Sequence, residues 1–213
     1  MSVLESETGG RFTAGLTLLR RAEVDRRPAD LGRAEAAARV FLEALGVDCD
    51  TAGTADSPRR MAHAYAEMLT ARDFELTTFP NEEGYDELVV VRDIRFQSVC
   101  EHHLLPFTGR AHIGYLPGER ILGLSKFARV VELFSRRPQV QERLTMQVSD
   151  WLDRELSARG VGVVIEAEHS CMSLRGAMAN GATTRTTALT GALRNDMATR
   201  AEFLDAIEAR RAS

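Results

Sequence analysis

Residues 88–116 read LVVVRDIRFQSVCEHHLLPFTGRAHIGYL, and the reading of this stretch decides the fold. Leu88 to Phe96 is rich in valine and then alternates, with Ile94 and Phe96 set against Arg95 and Gln97, the period-2 pattern of a strand. This strand leads directly into Cys100. Thr108 to Leu116 alternates again, Ala111, Ile113 and Tyr115 against Arg110 and His112, with Pro117-Gly118 as a turn after it. The two segments are expected to pair as neighbours, with Cys100-Glu101-His102-His103 in the connection between them.

The sequence before this pair reads as helical. Arg33 to Leu45 carries Ala37, Val40, Phe41 and Ala44 at helical spacing and stops at Gly46. A second helix is expected to start at Ser57-Pro58, an N-cap serine followed by proline in the first turn, and to run through Met61, Tyr65 and Met68. Met1 to Leu31 has one short apolar stretch, Leu16 to Leu19, and is read as a loosely docked tail to which no chemistry is assigned. After the strand pair, Phe127, Val130, Val131 and Phe134 follow the i, i+3, i+4, i+7 rule. Val140, Leu144, Val148, Trp151 and Leu152 do so again, and Gly160 is read as the end of that helix. Val161 to Met172 returns to strand, which would put His169 and Cys171 on the same face. Thr183 to Leu193 is a further threonine-rich strand, and Thr199 with Glu202 reads as the capping box of a last helix. Strands and helices come in segregated groups, so the expected class is α+β with an antiparallel sheet. The expected organisation is a tail over 1–31 and one domain over 32–213, with helices at about 33–70 and the sheet-bearing part at about 85–210.

At 213 residues and 44% hydrophobic content, the chain can bury the core of one ordinary domain. Its net charge of -4 gives no general attraction for nucleic acid or an anionic membrane, so any basic site must be local. No run approaches the ~18 apolar residues of a membrane span, and the expectation is a soluble, cytoplasmic protein. Three cysteines, Cys49, Cys100 and Cys171, make no disulfide framework. Of five histidines, His102, His103 and His169 lie beside Cys100 or Cys171. Lys126 is the single lysine in a chain that otherwise uses arginine.

Cys100 and His103 stand at i and i+3, close enough in a turn to bind one ion, and His169-Ser170-Cys171 offers a second such pair. Zinc favours sulfur and imidazole, and its catalytic sites keep three protein ligands and one open position. Spacing alone leaves two other readings, buried thiols with hydrogen-bonded histidines and a closed structural site with four ligands. Lys126 and Arg129 share the first turn of a helix, where a basic pair and the helix N-terminus suit phosphate or simply form a solvated face. Arg175 follows Cys171 by four residues. Gln141-Glu142 opens the next helix, where an acidic residue complements the dipole and a carboxylate can also accept from the paired N–H edge of a base such as guanine. His63, His112 and Cys49 read as structural.

The strings CEHHLLPF at 100–107, GLSKFARVVE at 123–132, RPQVQERLT at 137–145 and EAEHSCMSLRG at 166–176 resemble the successive motifs of GTP cyclohydrolase I, in the same order. The resemblance covers roughly Ala34 to Ile207. It implies a T-fold subunit in a toroidal homodecamer with active sites at subunit boundaries. It implies zinc on Cys100, His103 and Cys171, and proton transfer by His102, His169 and Ser125. Guanine would be held by Glu142 with Gln141, and triphosphate by Lys126, Arg129 and Arg175. Ser57 to Ala62 resembles the motif that brings a further phosphate-binding arginine, Arg60, from a neighbour, with Ser57 where the family usually has threonine. The implied reaction is zinc-dependent hydrolysis of GTP at C8, with His169 protonating N7, to give formate and 7,8-dihydroneopterin triphosphate. That reaction opens folate, other pterin and deazapurine routes alike. The contrasting reading is a zinc-stabilised nucleotide-binding protein without turnover, which requires a fourth protein ligand.

Overall fold

The computed structural model describes residues 28–208, so residues 1–27 of the expected tail lie outside the described part. Helices α1 (Leu31–Ala44) and α2 (Ser57–Met68) pack against each other ahead of the sheet. Asp30 caps α1 by accepting from the Arg33 amide at 3.0 Å. The N-cap of α2 is Asp56 rather than the expected Ser57. Its carboxylate is drawn to the Arg59 and Arg60 guanidiniums, so α2 starts without a side-chain cap and with Pro58 in its first turn. Strands β1 (Thr78–Pro80) and β4 (Arg120–Leu122) form a two-stranded ribbon too short to leave a periodic signal.

The main sheet has the order β5-β2-β3-β6-β7, built from β2 (Val89–Cys100), β3 (Pro106–Leu116), β5 (Pro138–Gln139), β6 (Gly160–His169) and β7 (Thr184–Leu189). The expected neighbours β2 and β3 are paired antiparallel, Arg95 opposite Arg110 and Phe96 opposite Gly109. β6 and β7 continue the antiparallel run, and β5 joins β2 in parallel, so the sheet is mixed rather than purely antiparallel. Helices α3 (Leu124–Ser135) and α4 (Gln141–Leu156) cover one face. There Phe127, Val130, Val131, Leu144, Val148 and Leu152 form one core with Ile113, Tyr115, Val163 and Ile165, all nearly or wholly buried. The α+β class read from the sequence is the class observed.

Four boundaries after the first strand pair differ from the sequence reading. β6 stops at His169, and Cys171 lies in a helical turn, α5 (Ser170–Ser173), so the two residues do not share a strand face. α4 ends with Ser157 in the left-handed region (φ 45°, ψ 45°), and Gly160 instead begins β6, where a Cβ would come within 2.8 Å of the Ala192 amide nitrogen. The strand over Thr183–Leu193 is shorter, because the chain turns into α6 (Gly191–Asn195) after Leu189. The last helix, α7 (Met197–Glu208), is capped by Asp196, which accepts from the Thr199 amide at 2.9 Å, so Thr199 is inside the helix and not its N-cap. Gly114 and Gly162 pair across β3 and β6 and leave the hollow that takes the Phe203 ring of α7. A Cβ on either would stand 2.6–2.7 Å from a ring or leucine carbon. Burying Phe203 completely stabilises the docking by roughly 1.5–3 kcal/mol. No helix among the described residues is long and apolar enough to cross a membrane.

Candidate active site at the foot of the sheet

The chemistry-bearing residues gather at the end of the sheet where β2 finishes, β3 begins and β6 finishes. The loop after β2 is closed by its own backbone: the Cys100 amide donates to the Leu105 carbonyl at 2.9 Å and the Leu104 amide to the Cys100 carbonyl at 2.8 Å. Leu104 is held at φ 52°, and the Tyr65 hydroxyl of α2 donates to its carbonyl at 2.9 Å. The Glu101 amide donates to the Gln139 carbonyl, and its carboxylate accepts two bonds from Arg143 of α4. These ties fix the turn that carries Cys100 and His103.

Within that turn the Cys100 Sγ lies 3.8 Å from the His103 Nδ1. The α5 turn brings Cys171 to them, and the ligand atoms of Cys100, His103 and Cys171 all lie within 4.8 Å of one another. Two thiols and an imidazole at this separation are a soft donor set able to hold a metal ion. Burial, then the neighbouring Cys100, push the Cys171 thiol upward, with Arg175 pulling the other way. A divalent cation would reverse that balance by displacing the thiol protons.

His169 is outside this cluster and is fixed by other means. Its ring stacks on Phe107, with centroids 4.4 Å apart and planes 6° from parallel, and its Nε2 lies 2.8 Å from the Gln141 Oε1. Burial lowers the His169 pKa from its ordinary value, partly offset by the charge of Glu142. Gln141 is 2% exposed, and its Nε2 donates toward the Ile165 carbonyl, the Thr184 carbonyl and the Thr186 hydroxyl at 2.9–3.1 Å. Both ends of the Gln141 amide are bonded within the chain, and Gln141 also lines the pocket beside His169. Glu142 is exposed beside it.

A pocket of about 220 Å³ is lined by Cys100, His102, His103, Glu142, His169 and Cys171, among others. Ligand pockets commonly span ~300–1,000 Å³, so a nucleoside triphosphate would extend beyond it. Arg175 is exposed on the same side, close enough for its charge to act on Cys171. The other expected residues are elsewhere. α3 starts just after Leu122, whose amide donates to the Tyr115 hydroxyl, at the far end of β3. Phe107, opposite His169, and Tyr115 are eight residues apart, about 27 Å at ~3.4 Å per residue. Ser125 and Lys126 therefore stand across the sheet from the metal cluster. Arg129 pairs with Glu132 at 3.2 Å, and Arg60 of α2 is exposed and pairs with Asp56 at 3.0 Å. Sequence reasoning missed Tyr65, Arg143, Thr145 and Thr186 as supports of the site, and the run Thr183-Thr184-Arg185-Thr186-Thr187 was their one visible signal.

These features define an α+β protein whose sheet ends in a Cys-His-Cys cluster able to hold a metal beside a small-molecule pocket. The model of the family described as GTP cyclohydrolase I matches residues 34–208. The GTP cyclohydrolase 1 of Aquifex aeolicus is 49% identical over 179 residues, covering 84% of this chain and 97% of that protein. The protein of the same name from Mycobacteroides abscessus is 52% identical over 181 residues, covering 83% of this chain and 89% of that one. Among solved structures, the archaeosine synthase QueF-Like in the apo form superposes with a TM-score of 0.41 at 18% identity, over 49% of this chain and 93% of that one. The chain belongs to the GTP cyclohydrolase I family.

Proposed function

We propose that the pocket at the foot of the sheet hydrolyses the imidazole ring of GTP, releasing formate and forming 7,8-dihydroneopterin triphosphate. The observation that carries this reading is the convergence of Cys100, His103 and Cys171 within 4.8 Å, with His169 held beside them but outside the ligand set, in a chain of this family. Cys100, His103 and Cys171 hold zinc, and three ligands rather than four leave a position for the reactants. Bound there, zinc supplies Lewis acidity and an activated water near neutral pH.

The chain's own residues do the rest. Glu142, exposed at the N-terminus of α4, accepts from the N1–H and N2–H edge of guanine. His169 gives a proton to N7 as the imidazole opens, and His102, exposed on the metal turn, serves the later proton transfers. Arg175 holds phosphate on the near side. Ser125, Lys126, Arg129 and Arg60 complete the site from neighbouring copies, Ser125 beside the reacting nucleotide and the three cations on the triphosphate. Two features support this division. Ser125 and Lys126 start α3 at the far end of β3 from the cluster, and the sheet has open edges along β7 and along Val89–Gln97 of β2, which have no outer strand partner among the described residues. Unpaired edges template further strands, so a closed ring of copies, a homodecamer in this reading, satisfies them. The exposed Val40, Phe41 and Leu45 of the α1 region suit burial in the same assembly.

The test is incubation of zinc-loaded protein with GTP while formate and pterin fluorescence are followed together. Equal, coupled release supports the reading, and GTP binding with neither product would leave a binding protein. Light scattering that finds an active monomer would remove the shared site.

A further inference from the structure

We propose that Gln141 is the positioning residue of His169, pinning its Nε2 as a donor so that every proton His169 exchanges with substrate passes through Nδ1. This rests on the reading of His169 as the proton-transfer group, and it is argued from the hydrogen-bond inventory around one amide.

The Gln141 Nε2 lies 3.1 Å from the Ile165 carbonyl and 2.9 Å from the Thr184 carbonyl. Carbonyl oxygens only accept, so the end of the side chain facing them must be the NH2 group, since the reversed amide would set oxygen against two oxygens. The remaining end, Oε1, faces the His169 Nε2 at 2.8 Å and can only accept. The Nε2 must therefore carry a hydrogen, whether the ring is neutral or charged.

The supporting hydroxyls leave no freedom to invert this order. Thr145 donates to the Gln141 main-chain carbonyl at 2.8 Å. With its one hydrogen used, Thr145 accepts from Thr186 across 2.6 Å, and the Thr186 oxygen in turn accepts from the Gln141 Nε2 at 3.1 Å. Three side chains from α4 and β7 thus point their donors in a single sense that leads away from His169, whose Nε2–H donates into the network. Phe107 covers one ring face of His169. The Nδ1 is the one ring nitrogen without a partner among the described residues. A histidine whose second nitrogen is fixed in this way has its tautomer and orientation set before substrate arrives.

Two measurements test it. In zinc-loaded protein carrying 15N-labelled histidine, the neutral His169 ring should show a protonated Nε2 and a lone pair on Nδ1. The opposite tautomer, or an equal mixture, overturns the assignment whether or not the protein turns over GTP. Gln141→Met keeps the side-chain length and removes both hydrogen-bonding ends. It should lower kcat by roughly 10–100-fold, hold the GTP KM within about threefold and retain zinc, while the ring signals move to mixed tautomers. Added to His169→Ala, it should cost almost nothing further. A large rise in KM with kcat unchanged would make Gln141 a substrate contact, and losses that multiply in the double variant would separate it from His169. If Gln141→Met does not fold, the wild-type ring spectrum still decides. If the wild-type protein makes no pterin, the proposed activity fails while the spectrum continues to report on Gln141.

Discussion

The two ends of the sheet are built on different terms. At the Cys100 end, the chain satisfies its own chemistry: Gln141, Thr145 and Thr186 bond one another, Phe107 stacks on His169, and Arg143 and Tyr65 fasten the metal turn. At the Tyr115 end, α3 begins after Gly123 with no side-chain cap, and the side chains of Ser125 and Lys126 make no hydrogen bond among the described residues. A helix start with free amides and an unpaired ammonium is suited to an anion. In one copy no metal or base-binding group lies near it. The contrast separates what one chain preorganises from what, in the proposed reading, assembly supplies: the metal turn and His169 are fixed locally, and the proposed phosphate-gripping charge of Lys126 would be lent across a boundary.

The largest effect expected is at the self-sufficient end. Cys171→Ala removes a thiolate from a three-ligand site and should abolish both zinc retention and turnover. His169→Ala leaves all three ligands, so zinc content by elemental analysis should stay near that of the unmodified protein while turnover falls by ~10²–10⁴-fold. Equal loss of zinc from both variants would make His169 a ligand and erase the distinction between the metal cluster and the group beside it.

The second test addresses the incomplete end. Lys126→Ala should keep its zinc and lose most GTP turnover. When Lys126→Ala and His169→Ala chains are co-expressed, mixed assemblies contain sites that draw an intact His169 from one copy and an intact Lys126 from another. Activity should rise to a sizeable fraction of the unmodified level, far above either variant alone. Mixed assemblies as inactive as the separate variants would mean that the two residues do not meet in one site.

The same contrast explains which features the sequence made legible. β2, β3 and the helices α3 and α4 were readable because each has one buried face, and burial imposes a period on the apolar positions. The metal trio was readable because Cys and His at short spacing are uncommon without a reason. Cys171 was misplaced on a strand face because alternation from Val163 to Cys171 runs two residues past the last strand residue, and nothing local marks the turn at Ser170. The bonds of Gln141 to Ile165, Thr184 and Thr186 are not legible beside Glu142, because those acceptors are 24 to 45 residues away. Long-range polar networks carry no periodic signature. The separation of Ser125 and Lys126 from the cluster is a matter of strand direction, and the family motifs stand in sequence order without stating it.

A smaller effect is expected from the ties on the metal turn. Tyr65→Phe removes the one hydroxyl by which α2 holds the Leu104 carbonyl, leaving the backbone bonds of the turn in place. Zinc should be lost a few-fold faster to a chelator, with KM for GTP nearly unchanged, as loss of an outer support does. An unchanged rate of zinc loss would show that the turn is held by its own backbone and Arg143 alone.

The smallest effect tests whether α3 is held independently of any neighbour. Glu132, 12% exposed, accepts from the Arg72 guanidinium twice at 2.8 Å and from Arg129 at 3.2 Å. Arg72 is the main reason its carboxyl sits well below the ordinary 4.5, at about 2, with burial working in the opposite direction. A depressed folded-state pKa means that the charge contributes fully above the unfolded value and loses its contribution as pH falls from about 4.5 through about 2. Arg72 itself is 70% exposed, so solvent screening keeps the contribution modest, of the order of 1 kcal/mol. Glu132→Gln should therefore be less stable in urea by about that amount at pH 7, and the gap to the unmodified protein should narrow steadily between pH 4.5 and pH 2.5. A gap that stays constant with pH would assign the loss to packing and neutral hydrogen bonds.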